Sequence, residues 1–485
     1  MHVISEPDHL MGRRARLISV VVVAIAATFM ANLDLWIVNL ALVGMQRSLG
    51  GSLADLSWVL NAYAVTLAAL LIPAGRLGDR FGHRRVFLGG IAVFTIASLV
   101  CAVAPSVPVL VAARAVQAAG AAALLPTSLA LLLGAVDAGR RMSATRGWSA
   151  AGGLAAVAGP LLGGLLVDLS WRWVFVVNLP VGVLAWVLGR RALAHDRGRT
   201  DEPVPDLLGS VLLVVGVGAL TGALVQAPTW GWTDPRTVGV LVVAIAGTVM
   251  FVLRCRRHPA PLLELPLLRV RRFATANVAM VLFSVSFGIM LLSNSLWCQD
   301  VWHYSPLQTG LAMAPGPAMV PIATALTTRL VHRLGPAPLA ALGSLFLAAA
   351  QLWRVLVAGP EPSYLHDLLP SMLASGVGVG LALGTLIAAG VTALPEGRSA
   401  TGSAFLNSGR QVGSALGIAV LVTLLGPVAG NVHGYLVGWA VGAVFAVAAA
   451  IAGLGVGRNA AHVTAGGPAV PLVEEPAHRP RVREA

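Results

Sequence analysis

Fourteen stretches of this chain are apolar over roughly the twenty residues that a helix needs to cross a hydrocarbon core, at about 17–43, 57–75, 86–104, 107–134, 146–168, 171–192, 207–227, 236–254, 273–298, 308–328, 336–357, 367–393, 402–426 and 433–457. Nothing constrains the fold more. Backbone amides and carbonyls in lipid have no water to bond, so only helices and closed barrels span a bilayer. Runs this long and unbroken select helices. The balance of residues agrees: 57% are hydrophobic and only 11% charged, where a soluble domain carries about 25% charged residues. The expected fold class is an all-α polytopic membrane protein with fourteen transmembrane helices. The first run is too long for a signal-peptide core and has no convincing cleavage site, so it is read as a retained span.

Every one of the 33 basic residues is arginine. Without lysine there is no P-loop lysine to hold a nucleotide phosphate and no Schiff base. The C-x-x-C, H-E-x-x-H and G-x-S-x-G patterns are absent, and Cys101, Cys255 and Cys298 are too scattered for a disulfide framework or zinc site. An ATP-driven pump or a metalloenzyme is therefore not expected, nor is any cofactor or metal.

The net charge of +13 need not mean nucleic acid. With a cytoplasmic N-terminus and fourteen crossings, 27 arginines fall on the inner side, from Arg13 to Arg483. Four fall outside or near an outer helix end: Arg47, Arg172, Arg236 and Arg354. That bias obeys the positive-inside rule and puts both termini in the cytoplasm.

The chain also repeats. R-L-G-D-R-F-G at 76–82 is echoed by R-L-V-H-R-L-G at 329–335, and S-A-T-R-G at 143–147 by S-A-T-G at 399–402, at offsets of 253 and 256. Near-equal offsets in inner loops indicate a duplicated six-span bundle with parallel copies. The expected organisation is a tail at 1–16, a first bundle at 17–192, a linker with two extra spans at 193–272, a second bundle at 273–457 and a disordered tail at 458–485.

Two charges interrupt the apolar runs deeply. Asp34 is the one carboxylate placed well inside a span; Asp168, Asp300 and Asp367 fall near outer ends. An intramembrane ionisable group is expensive and functional by default, so Asp34 is expected to couple protons or contact substrate. Arg114 lies seven residues into the fourth span, with Gln117 on the same face, and a pairing with Asp34 follows as a conjecture. Arg410, near the inner end of the thirteenth span, either snorkels or lines the cavity. Gly159, Pro160, Gly163 and Gly164 permit close helix approach and a bend. Between the second and third runs, residues 75–88 hold Gly75, Gly78, Asp79, Arg80, Gly82, Arg84 and Arg85. Anchoring accounts for the arginines but not for the aspartate or the glycines.

At these residues the chain resembles the major facilitator superfamily, and within it the fourteen-span drug:proton antiporters of the EmrB/QacA type. Asp34, Val38, Asn39, Ala41 and Leu42 match that family's first-span D-x-x-x-V-N-x-A-L pattern. Residues 75–88 match the G-x-L-x-D-R-x-G-R-R signature, with His83 at a usually basic position. R-A-V-Q-A-A-G from Arg114 resembles R-x-x-Q-G-x-G, and A-G-P-L-L-G-G from Ala158 matches the antiporter motif. Residues 171–182 and 407–417 are also similar. The resemblance implies a role in proton transfer for Arg114, and control of which side opens, hence export, for Gly159, Pro160, Gly163 and Gly164. It adds Asn39 to the cavity and makes 75–88 a conformational latch, in which Asp79 bonds the inner end of a neighbouring span in the outward-open state.

The expected function is proton-coupled efflux of hydrophobic drugs or antibiotics across the cytoplasmic (inner) membrane, powered by the proton gradient. Its partners are the substrate, protons and lipid, not nucleic acid; it works as a monomer, with room for an accessory protein. One deep acid against Arg114 and Arg410 favours neutral, weakly acidic or singly charged substrates. A metabolite or lipid transporter of the same fold is the alternative, and a non-transporting sensor or scaffold the alternative of another class.

Overall fold

A computed structural model describes residues 6–194, 196, 198, 204–395, 398–426 and 430–457. It contains fourteen helices long and apolar enough to span a membrane: α1 Leu17–Leu49, α2 Leu53–Phe81, α3 His83–Ala102, α4 Val107–Ala135, α5 Ser143–Leu169, α6 Trp173–Ala192, α7 Leu207–Trp230, α8 Pro235–Arg257, α9 Arg271–Val301, α10 Pro306–Thr327, α11 Pro336–Val357, α12 Tyr364–Thr392, α13 Ser399–Leu425 and α14 Val432–Leu454. The backbone of α1 is helical from Glu6, so most of the expected N-terminal tail continues the first helix. The expected tail at 458–485 lies outside the described residues.

The repeat extends well beyond the two echoes in the sequence. Ser52 and Asp55 form a capping box at the start of α2, and Ser305 and Gln308 form one at the start of α10, 253 positions later. Each box satisfies amide groups that the first helical turn leaves without partners. Just ahead of them, Gly50 has φ +70° and His303 φ +53°, again 253 apart. Gly82 and Gly335, φ +95° and +84°, separate α2 from α3 and α10 from α11. The stretch 75–88 is therefore not a loop between spans ending at 75 and starting at 86. It is helical on both sides of the single residue Gly82, because arginines at a helix end reach the interface without ending the helix.

Small residues bring the helices together, as expected where lipid removes the hydrophobic drive for association. A Cβ on Gly120 of α4 would lie 2.6 Å from the Phe94 amide of α3. In the second half, one on Gly378 of α12 would lie 2.6 Å from the Gly343 carbonyl of α11. The inserted α7–α8 hairpin closes on Gly216 and Gly247. It packs beside both halves, with Thr423 of α13 donating to the Leu224 carbonyl at 2.6 Å.

The halves meet at the arginine-poor end. Ser295 Oγ of α9 donates to the Asn39 carbonyl of α1 at 3.1 Å, and Gln299 Nε2 to the Leu40 carbonyl at 3.2 Å. Further toward the other end, Ser408 Oγ of α13 donates to the Ala68 carbonyl of α2 at 2.9 Å. At the arginine-rich end α5 and α10 part: no described residue in 141–150 is buried, and in 321–334 only Ala323 is. Contact between α5 and α10 is thus concentrated at the arginine-poor end.

Candidate functional site

Asp34, midway along α1, is fully buried, as is Arg114 of α4. Arg114 Nη1 donates to Asp34 Oδ2 and to Gln117 Oε1 at 2.7 Å. Gln117 Nε2 donates to Asp34 Oδ1 at 2.9 Å and to Ser98 Oγ of α3 at 2.8 Å. Asn178 Nδ2 of α6 donates to Asp34 Oδ1 at 3.1 Å. Two neighbouring helices, α4 and α6, thus bond the carboxylate on α1, and α3 joins through Ser98. Arg114 also has supports that do not involve Asp34. Its Nε donates to the Val59 carbonyl at 3.0 Å, and its guanidinium lies 4.1 Å from the Tyr63 ring centre and 5.8 Å from that of Phe175. A buried pair survives desolvation only with such added bonds. Here the Arg114 contacts with Val59, Gln117 and Tyr63 do not depend on Asp34.

The conjectured pairing of Asp34 with Arg114 is thus present, and Gln117, expected on the Arg114 face, bonds both. Ser98, Asn178 and Tyr63 were not legible as members. A single serine, asparagine or tyrosine in an apolar span carries little signal, although Asn178 sits in one of the family-like stretches.

Asn39 and Arg410 do not join this cluster. Asn39 Nδ2 caps the Leu35 carbonyl at 2.9 Å, and its own carbonyl takes the Ser295 bond between halves. Arg410 lies on α13 in the other half, partly buried, and its Nε finds no partner among the described residues. Trp36 of α1 meets Phe287 of α9 edge-on at 5.9 Å, crossing the same divide.

The antiporter motif splits between two neighbours. Gly159 faces Trp36 and Gly163 faces Ile37, both on α1. Pro160 and Gly164 face the other half. A Cβ on Gly164 would come within 2.7 Å of the Pro306 carbonyl oxygen and 3.0 Å of Leu307 Cα. The motif therefore lies at the arginine-poor end of the interface between halves.

In the 75–88 stretch, Gly75 and Gly78 face Pro126 and Thr127 of α4. Asp79 is half exposed and pairs with His83 at 3.5 Å; Arg140, Arg141 and Arg146 are exposed. The carboxylate bound to this corner is instead Asp196, after α6. It accepts from the Arg84 amide at 3.1 Å and from the His83 amide, capping α3. Arg84 Nη2 donates to the Arg190 carbonyl at 2.9 Å. Arg76 reaches elsewhere, donating to the Ala260 and Pro261 carbonyls at 3.1 and 2.9 Å and lying 3.7 Å from Glu264. Glu264 in turn accepts two bonds from Arg398, at 2.8 and 2.7 Å. This clasp links α2, the segment before α9 and the start of α13. Surface pairs contribute about 1 kcal/mol or less. Glu264→Gln is therefore expected to leave the unfolding midpoint nearly unchanged while trypsin cleaves after Arg398 severalfold faster. Equal cleavage rates would remove the clasp's role in holding that corner.

One burial was not expected. Arg354 and Asp367 lie near helix ends, where the sequence places them, but they are as fully buried as Asp34. Arg354 of α11 and Asp367 of α12 are each 1% exposed and form an ion pair. Arg354 lies 4.3, 5.3 and 5.5 Å from the ring centres of Trp439, Trp297 and Trp302. Near a helix end, sequence alone expects water; α9 and α14 exclude it here. Among the described residues no cluster of three metal-ligating side chains occurs.

The family profile described as Major Facilitator Superfamily matches residues 24–418. The multidrug resistance protein Stp of Mycobacterium tuberculosis is 36% identical over 392 residues, 80% of this chain and 72% of that one. The methylenomycin A resistance protein of Streptomyces coelicolor is 33% identical over 410 residues, 83% and 85% of the two chains. Among solved structures, the POT-family transporter PepTSo superposes with a TM-score of 0.67 at 16% identity, covering 90% of this chain and 96% of that one. That likeness concerns the fold alone. With its fourteen helices, its repeated six-helix halves and its matching sequence, the chain belongs to the major facilitator superfamily.

Proposed function

We propose that the protein exports hydrophobic small molecules of the drug or antibiotic class across the cytoplasmic membrane in exchange for protons. The observation that carries this reading is the Asp34 cluster: a fully buried acid whose cationic partner is held by other groups. Such an acid can be neutralised by a proton and then recharged without losing the arginine's position. Relatives named for multidrug, methylenomycin A and tetracenomycin C resistance support the substrate class. The arginine-rich end is the cytoplasmic face on the positive-inside rule, so the exposed ends of α5 and α10 face the compartment from which an exporter loads. Each proton entering down a potential of 100 mV supplies about 2.3 kcal/mol, and no cofactor is needed. The working unit is the monomer.

Among the described residues every fully buried carboxylate and guanidinium is paired, and the partly buried Arg410 has no ion-pair partner, a balance that favours neutral or weakly acidic substrates over dications. The test is a resistance profile across a compound panel, with dye efflux in inverted vesicles under an imposed proton gradient. Export that follows the gradient and disfavours dications is expected. Uptake toward the cytoplasm, or flux indifferent to the gradient, would overturn the reading.

A further inference from the structure

Among the described residues each half buries one carboxylate–guanidinium pair, and the two pairs differ in construction. In the first half, the acid is on α1 and the base on α4, joined by Gln117, Asn178 and Ser98. In the second, the base is on α11 and the acid on α12. Arg354 sits 253 positions after Cys101, and Gln351, which bonds Ser286 at 2.6 Å, sits 253 after Ser98. The second pair thus occupies the part of its bundle that the Asp34 cluster occupies in the other. It is also less satisfied: Arg354 Nε and Nη2 are buried and find no acceptor among the described residues. Three indole faces surround the guanidinium instead, and such faces hold a cation without neutralising it.

Two features mark the surroundings as able to change. The segments Trp297–Val301 and Tyr364–Leu368, which carry Trp297 and Asp367, are both π-helical turns, a form that clusters at functional sites. The first also bonds the other half, through Gln299 to the Leu40 carbonyl. Leu40 lies six residues beyond Asp34 on α1, so the two pairs are joined through one helix and one inter-half contact.

We propose that Asp367 is a second proton-binding acid of the transport cycle, taking up its proton when the arginine-poor end opens. The proton bonds to the carboxylate and the Arg354 hydrogen bond to it is given up. The pair passes from neutral to singly positive, and the tryptophan cage retains the cation. The groups facing this site are Arg354 from α11, Cys298 from α9, His366 and Tyr364 on its own turn and Tyr304 beyond α9. Tyr435 of α14 lies behind Cys298 and is paired with Asp300. This inference rests on the reading of the protein as a proton-driven exporter.

The test uses the full chain in liposomes. Infrared difference spectra across an acid step are recorded for wild type, Asp34→Asn, Asp367→Asn and the double variant Asp367→Asn with Arg354→Gln, which removes both charges and keeps the fold testable. Two separable protonated-carboxyl bands are expected, one lost with each aspartate. With ethidium as transported dye, the proton-to-dye ratio should fall by one in the charge-neutral double variant while exchange persists. A spectrum unchanged by Asp367→Asn, or an unchanged ratio in the folded double variant, overturns the proposal. If wild-type ethidium flux ignores the proton gradient but the Asp367 band is present, the export reading fails and the proton site stands.

Discussion

Asp34→Asn is expected to reduce proton-driven export by at least about 100-fold, equivalent to about 2.7 kcal/mol, while the protein stays folded. Removing one member of a buried ion pair ordinarily costs about 3–5 kcal/mol, because the other charge is left uncompensated. Here Arg114 keeps the Val59 carbonyl at 3.0 Å, the Gln117 oxygen at 2.7 Å and the Tyr63 face at 4.1 Å. Asparagine also preserves the size of the side chain. The stability loss should therefore fall below that range, and the loss of function should come from the missing proton site. Two measurements check this together: thermal unfolding, and substrate exchange against uphill export in liposomes. Exchange that persists while uphill export fails is the expected pattern. Near wild-type uphill export would remove Asp34 from the coupling role. Arg114→Gln should be the more damaging change to stability, since it strands a carboxylate held only by the amides of Gln117 and Asn178.

Gly164→Leu is expected to lower transport more than tenfold by a different route. The atoms nearest a new Cβ are the Pro306 carbonyl oxygen at 2.7 Å and Leu307 Cα at 3.0 Å. Both are backbone, so they cannot rotate away as a flexible side chain would. The two halves then fail to close at the arginine-poor end, and the population shifts toward the conformation open there. Disulfide trapping between cysteines at positions 40 and 299 should fall in parallel, since those positions meet across the closed interface. Gly153→Leu, on the same helix, is the control, because a Cβ there meets nothing within 4 Å. Equal losses from both substitutions would show that bulk anywhere on α5 is damaging and would remove the special role of Gly164.

What the sequence made legible follows from how strongly each residue departs from its surroundings. A carboxylate or guanidinium inside twenty apolar residues is conspicuous, so Asp34 and Arg114 could be picked out and their pairing conjectured, with Gln117 on the Arg114 face. The fourteen spans were equally plain, because the bilayer sets their length. Their ends were not. Arg76 and Arg80 looked like the start of a loop, but only Gly82 ends the helix, and the sequence does not distinguish it from Gly75 or Gly78. The repeat was visible in two echoes, yet the capping residues Ser52 and Ser305 and the corner at His303 carry the same offset and went unnoticed, since single polar residues recur by chance. Arg354 and Asp367 were invisible as a pair for a physical reason. Each lies close to a helix end, where water is the natural surrounding. Their burial is created by Trp297 and Trp439, which are 57 and 85 residues away from Arg354 in the chain.

The one-residue corners at Gly82 and Gly335 bear on how motion can be observed. With no slack between α2 and α3, or between α10 and α11, each pair turns as a single lever. A tilt of α2 is then passed directly to the end of α3, on whose exposed face Ile96 is 63% exposed. A spectroscopic label at Ile96, or one at Leu345 on α11, would sit on an exposed helix face, turned away from the buried Ser98 of the Asp34 cluster. Both positions would read the rocking of the halves without touching any group that drives it.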